Sequence, residues 1–120
     1  MSMESYPLMQ QFTEPAVNLV FNDFTGKALD ICFGPKALTK ESAHYFTSGE
    51  YVNSWARLFV PVMQMIADGK TVASAPINYQ HPSDQTAYEN GNPIFNQKRV
   101  DQLAGLEKVM REASQRIKAK

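Results

Sequence analysis

Cysteine is nearly missing from the chain, with Cys32 its single thiol, and histidine is represented only by His44 and His81. One thiol excludes an internal disulfide. The first residues, Met1-Ser2-Met3-Glu4-Ser5, lack the basic start and apolar run of a signal peptide. Long hydrophobic runs are missing too. The most apolar stretch, Trp55 to Ala67, is broken by Arg57, Pro61 and Gln64 and is shorter than the roughly 20 residues that span a bilayer. These absences point to a reducing, cytoplasmic setting without a membrane span. An excess of one charge sign is also absent. Twelve Lys or Arg against twelve Asp or Glu give a formal net charge of zero, which argues against a dedicated nucleic-acid coat protein.

What is present is an ordinary globular mixture. The 120 residues are 43% hydrophobic and 20% charged, enough for one domain with a modest core and no need of metal or disulfide. No repeat or low-complexity tract interrupts it. Charge is uneven along the chain: residues 98–120 hold seven basic and three acidic side chains, so this end is +4 and the remainder −4.

Residues 1–15 carry Pro7 and Pro15 among Tyr6, Leu8, Met9 and Phe12 without a clear period, and read as an arm that packs loosely or awaits a partner. The single α+β domain is expected over 16–120. Val17, Leu19 and Phe21, then Leu29, Ile31 and Phe33, alternate on either side of the turn-rich Asn22-Asp23-Phe24-Thr25-Gly26-Lys27, which predicts a β-hairpin with one buried face. Gly34-Pro35 ends its second strand. A short helix follows from about Thr39 to Phe46. Thr47 and Glu50 have the spacing of a capping box, with Phe46 and Tyr51 as a hydrophobic staple. The helix they open runs to Asp68, with Val52, Trp55, Phe59, Met63 and Ile66 facing inward, a kink or split at Pro61, and Gly69 as its stop.

Thr71 to Tyr79 contains Pro76 and fits an edge strand. Residues 80–95 form a long polar loop with a second small hairpin at Asn90-Gly91. Asn96 caps a C-terminal amphipathic helix over 97–118, whose Leu103, Leu106, Met110, Ala113 and Ile117 recur at spacings of three and four. The predicted architecture is therefore β-β-α-α-β-α, a small antiparallel sheet of hairpin plus edge strand packed against two or three helices.

The motifs that carry chemistry fail on spacing. Gly69-Lys70-Thr71 matches the end of a phosphate loop, but the glycine required five residues earlier is Gln64, and before Gly26 it is Phe21. A helix stop and a hairpin turn explain both pairs. Glu41 and His44 have the Glu-x-x-His spacing of di-iron bundles, yet a second such pair is missing because Asn78 precedes His81. Cys32 has no spacing that couples it to a histidine base. A helix-turn-helix over Leu38 to Leu58 would need a polar recognition helix, and Trp55, Leu58, Phe59 and Val60 make that helix apolar. No catalytic residue, cofactor or metal ligand is assigned.

Three functional expectations remain. The leading one is a small non-enzymatic protein-binding factor, a regulator, inhibitor or accessory protein of microbial or mobile-element type. Its candidate interface is the seam Leu103, Leu106, Met110, Ala113 and Ile117, which would also serve a homodimer through the C-terminal helix. The second is a nucleic-acid binder whose Arg111, Arg116, Lys118 and Lys120 contact phosphates, although such cations also simply complement a helix C-terminus. The third is an enzyme with a dispersed acid-base set, His81, Asp84 and Tyr88, on the long loop.

Overall fold

The computed structural model describes residues 3–32, 36–47, 55–75 and 79–119. Its elements are α1 (Leu8–Thr25), α2 (His44–Thr47), one turn of 3-10 helix (Trp55–Leu58), α3 (Val60–Ala67), α4 (Ser83–Asn90) and α5 (Pro93–Ala119). Among the described residues there is no strand, so the expected α+β class with its antiparallel sheet is corrected to an all-α arrangement.

The hairpin fails at its first strand. A strand would place Val17, Leu19 and Phe21 on one face, whereas Val17 and Phe21 are buried and Leu19 is 66% exposed. That division follows a helical period, in which positions four apart share a face and positions two apart do not. Residues 8–15, read in the sequence as part of the arm, are the first half of the same helix, which continues through Pro15. The chain leaves α1 at Gly26, whose φ of 73° lets its amide bond the Asn22 carbonyl at 2.7 Å. The glycine assigned to a hairpin turn is thus a helix stop.

The second expected strand is an irregular segment clamped by α1. The Asn18 side chain accepts from the amides of Ile31 (3.0 Å) and Cys32 (3.3 Å) and donates to Asp30 (3.2 Å). With its backbone donors satisfied by a side chain, the segment needs no partner strand. Phe33 and the Gly34-Pro35 turn lie outside the described residues, as do Glu50, Tyr51 and Val52 and with them most of the expected capping box and staple. Thr47 ends α2, and its hydroxyl donates to the His44 carbonyl at 3.4 Å.

The helix expected up to Asp68 is split before Pro61, which sits in the first turn of α3, where the missing amide leaves no intrahelical bond unmade. Its end is a full Schellman closure. Gly69, at φ 81°, donates to the Ile66 carbonyl at 3.0 Å, and Lys70 donates to the Met65 carbonyl at 2.9 Å.

No edge strand forms over the described part of 71–79, and the expected loop and hairpin around Asn90-Gly91 are replaced by α4 and the start of α5. The cap of α5 is Asn92 rather than Asn96: its Oδ1 accepts the Ile94 amide at 3.0 Å, and Pro93 fills the first helical position. Asn96 instead donates its own amide to the Asn92 carbonyl at 3.2 Å as part of the first turn.

The core gathers Val17 and Phe21 of α1, Ile31, Phe59, Val62 and Met63 around α3, and Met110 and Ala113 of α5. Phe21 and Met110 are wholly excluded from solvent. Gln10 of α1 meets Arg99 of α5, and eleven residues further along each helix Phe21 and Met110 share the core. The two longest helices therefore run in the same direction, and α3 packs against both. At 27 residues, α5 is about 40 Å long, which accounts for the 45 Å long axis of the molecule. No described helix is long and apolar enough to cross a membrane.

Gly105 lies mid-helix in α5 with open space where a Cβ would stand, so Gly105→Ala is expected to stabilise by about 0.5–1 kcal/mol and to raise the melting temperature by a few degrees. Gly69→Ala also meets open space, but its positive φ should make it destabilising by about 1 kcal/mol. Thermal melts of the two variants should shift in opposite directions.

Candidate functional site

The N-terminal half of α1 has its polarity reversed. Gln10 and Thr13 are buried, while every fully exposed position from Leu8 to Leu19 is apolar: Leu8, Phe12, Pro15 and Leu19. Steps of four, three and four hold these side chains within about 60° of one another around the helix. Phe12 is 81% exposed and Leu8 67%.

The buried side is organised by polar bonds from distant parts of the chain. Gln10 donates to Glu14 at 2.6 Å and accepts from Arg99 at 3.1 Å. Arg99 also reaches the buried Glu89 at 3.2 Å. The Thr13 hydroxyl returns to the Met9 carbonyl at 3.0 Å. The Leu8 amide, left without an intrahelical acceptor at the helix start, donates to Asn90 Oδ1 at 2.7 Å. Just before α1, the Thr86 hydroxyl donates to the Ser5 carbonyl at 2.6 Å, and the His81 amide donates to the Ser5 hydroxyl at 2.9 Å. The segment Ser5 to Leu8 is thus bonded to His81 before α4, to Thr86 in its middle and to Asn90 at its end. Arg99 fixes the same region to α5. This seam sets which way α1 faces.

The seam also decides the position of His81. Since the Thr86 hydroxyl proton goes to Ser5, the 2.8 Å contact from His81 Nδ1 to Thr86 Oγ1 is donated by the ring. The buried imidazole leans on Tyr6 at 5.5 Å between centroids, and Tyr6 meets Tyr79 edge-on at 5.9 Å. Asp84 and Tyr88, its expected acid-base companions, are exposed on α4, with Tyr88 edge-on to Phe95 at 5.7 Å. His81 is bonded to Thr86, while Asp84 and Tyr88, four residues apart on α4, face solvent.

The other singled-out residues fall as follows. Met110 and Ala113 are buried in the core cluster, and Leu103, Leu106 and Ile117 pack against it. The candidate interface of α5 therefore faces the chain's own interior. Arg111, Arg116 and Lys118 are exposed on α5, Arg111 in an ion pair with Glu107, and Lys120 lies outside the described residues. Glu41 and His44 are exposed, the His44 ring bonding the Glu41 carbonyl and stacking on Tyr45. Among the described residues no cluster of three or more His, Cys, Asp or Glu could hold a metal ion.

Burial pushes the Cys32 thiol up to about 12, with Glu14 and Asp30 adding to the effect. Its thiolate fraction at neutral pH is then on the order of 10⁻⁵. Folded protein is expected to resist iodoacetamide and to label rapidly once unfolded in urea. Labelling of the native chain at the rate of free cysteine would contradict the burial.

Glu14 is also raised, chiefly by desolvation, against the lowering effect of its bond from Gln10. The folded state therefore favours the protonated acid. The stability this confers is complete below the ordinary carboxylate value of about 4.3 and is lost as pH rises through the higher folded value. Glu14→Gln, which keeps an acceptor for Gln10, should raise the melting temperature at neutral pH and change it little at about pH 3. Equal shifts at both pH values would contradict this.

Leu8, Phe12 and Leu19 are the surface residues that sequence reasoning did not assemble. Their spacing was visible, but Pro15 between them spoke for an arm, and the alternation of Val17, Leu19 and Phe21 spoke for a strand. Comparison with protein-family models, curated proteins and solved structures finds nothing that matches the chain.

Proposed function

We propose that this chain is a small non-enzymatic protein-binding factor whose contact surface is the outer face of α1. The observation that carries the proposal is the reversed polarity of that helix. Leu8, Phe12, Pro15 and Leu19 face solvent while Gln10 and Thr13 are inside. Such an arrangement forgoes the hydrophobic stabilisation of three large side chains, and here polar bonds to Asn90, Arg99 and Thr86 hold the surrounding structure in place. The four side chains offer roughly 400 Å² of apolar surface, the scale at which exposed patches on single chains are often functional. Protein surfaces, with mixed apolar and backbone polar groups, suit such a stripe. A phosphate backbone would find no cation on it, because the exposed positions from Leu8 to Leu19 are all uncharged.

The surface assigned here replaces the α5 seam as the candidate interface, since the seam is occupied by core packing. A benzophenone photo-probe placed at Phe12 in the source cell is expected to give a discrete protein adduct. The same probe at Glu112, exposed on α5, should give none. Adducts at Glu112 with position 12 silent would refute the assignment.

A further inference from the structure

We infer that the α1 face binds a second copy of this chain, the two α1 helices lying antiparallel across a two-fold axis. This rests on the protein-binding role proposed above and names the partner.

The stripe is self-complementary about its own midpoint. Leu8 and Leu19 lie equally far from the point between Thr13 and Glu14, and so do Phe12 and Pro15. A two-fold axis through that point places each Leu8 against Leu19 of the other copy and each Phe12 against Pro15. An isologous interface requires this self-matching of one patch. It also pairs a large flat ring with a small one at the centre and leucine with leucine at the flanks. A parallel arrangement would crowd Phe12 on Phe12 and leave Pro15 opposite Pro15.

Charge favours the same occupant. A face that meets its own copy brings each exposed charge near an identical one. From Leu8 to Leu19 no exposed position is charged, and the nearest exposed charges along the chain are Glu4 before the stripe and Asp23 after it, four residues from either end. Glu14 is turned inward, bonded to Gln10. The outer side of α5, with Lys98, Asp101, Lys108 and Arg111 exposed, has no such uncharged strip. The zero net charge of the whole chain removes long-range repulsion between copies. The roughly 400 Å² from these four side chains is about half of what one partner contributes to a standard stable interface. Half-buried Gln11, Ala16 and Asn22 add to it, and the dimer should be weak and concentration-dependent.

Sedimentation equilibrium of the full chain, from low micromolar to near-millimolar concentration, is expected to show the mass rising from one copy to two. Phe12→Asp and Leu19→Asp should each raise the midpoint at least tenfold without changing the circular dichroism of the monomer. In a Cys32→Ser background, Phe12→Cys and Pro15→Cys chains mixed in a glutathione redox buffer should form the mixed disulfide in preference to either homodisulfide. A monomer at every concentration, a dimer indifferent to Phe12→Asp, or a preference for the Phe12→Cys homodisulfide would each overturn the inference. A monomer that still gives adducts to a different protein at position 12 would overturn the dimer alone and leave the protein-binding role standing.

Discussion

The packing of α1 along α5 is the contact on which the rest of the structure depends. Phe21 and Met110 meet in its interior with no solvent exposure, and α3 and the 28–32 segment complete the cluster around them. Two helices that run in the same direction cannot be joined by a short loop. The chain between them must travel back the length of the pair, and α2, α3 and α4 are formed along that return. Removing α1 would leave α5 with an uncovered apolar seam, and Asn90 of α4 would lose the Leu8 amide.

Along its length α1 is held by two different kinds of interaction. Its second half is fixed by apolar burial through Val17 and Phe21. Its first half is fixed by directional bonds: Gln10 to Arg99 and Glu14, and the Leu8 amide to Asn90. Hydrogen bonds of this type contribute only about 1 kcal/mol each in net terms, but leaving a buried partner unmatched costs more. They therefore act chiefly to specify orientation. The outcome is a helix whose inward face is polar at Gln10 and Thr13 and apolar at Val17 and Phe21, while Leu8, Phe12, Pro15 and Leu19 run along its outward face. The outward stretch is the surface to which a protein-binding role is assigned.

How much of this was legible depended on whether the signal was local. The break at Pro61 and the stop at Gly69 were readable, because a missing amide and a left-handed backbone are properties of single residues. The final helix was readable from its period, although its start was placed four residues late: Asn92-Pro93 is as good a cap and first turn as Asn96, and the polar composition around it suggested a loop. The hairpin misled because Val17, Leu19 and Phe21 satisfy an alternating pattern, while Val17, Phe21 and their neighbours Val20 and Phe24 satisfy a helical one. Periodicity over five residues does not separate the two. His81 attracted attention as a loop histidine, and its real partners, Ser5 and Thr86, include one 76 residues away.

The sequence by itself determined the helix stop at Gly69, the proline break and the apolar seam of α5, since each is set by the chemistry of neighbouring residues. Only the tertiary structure decided that residues 8–25 are one helix, that the α5 seam faces inward, and that Leu8, Phe12, Pro15 and Leu19 face out. Those outcomes depend on which surfaces compete for burial. Gln10 is inside, where its side-chain oxygen accepts from Arg99, and Phe12, on the other side of the same helix, is outside. A pairing across 89 residues leaves no trace in local pattern.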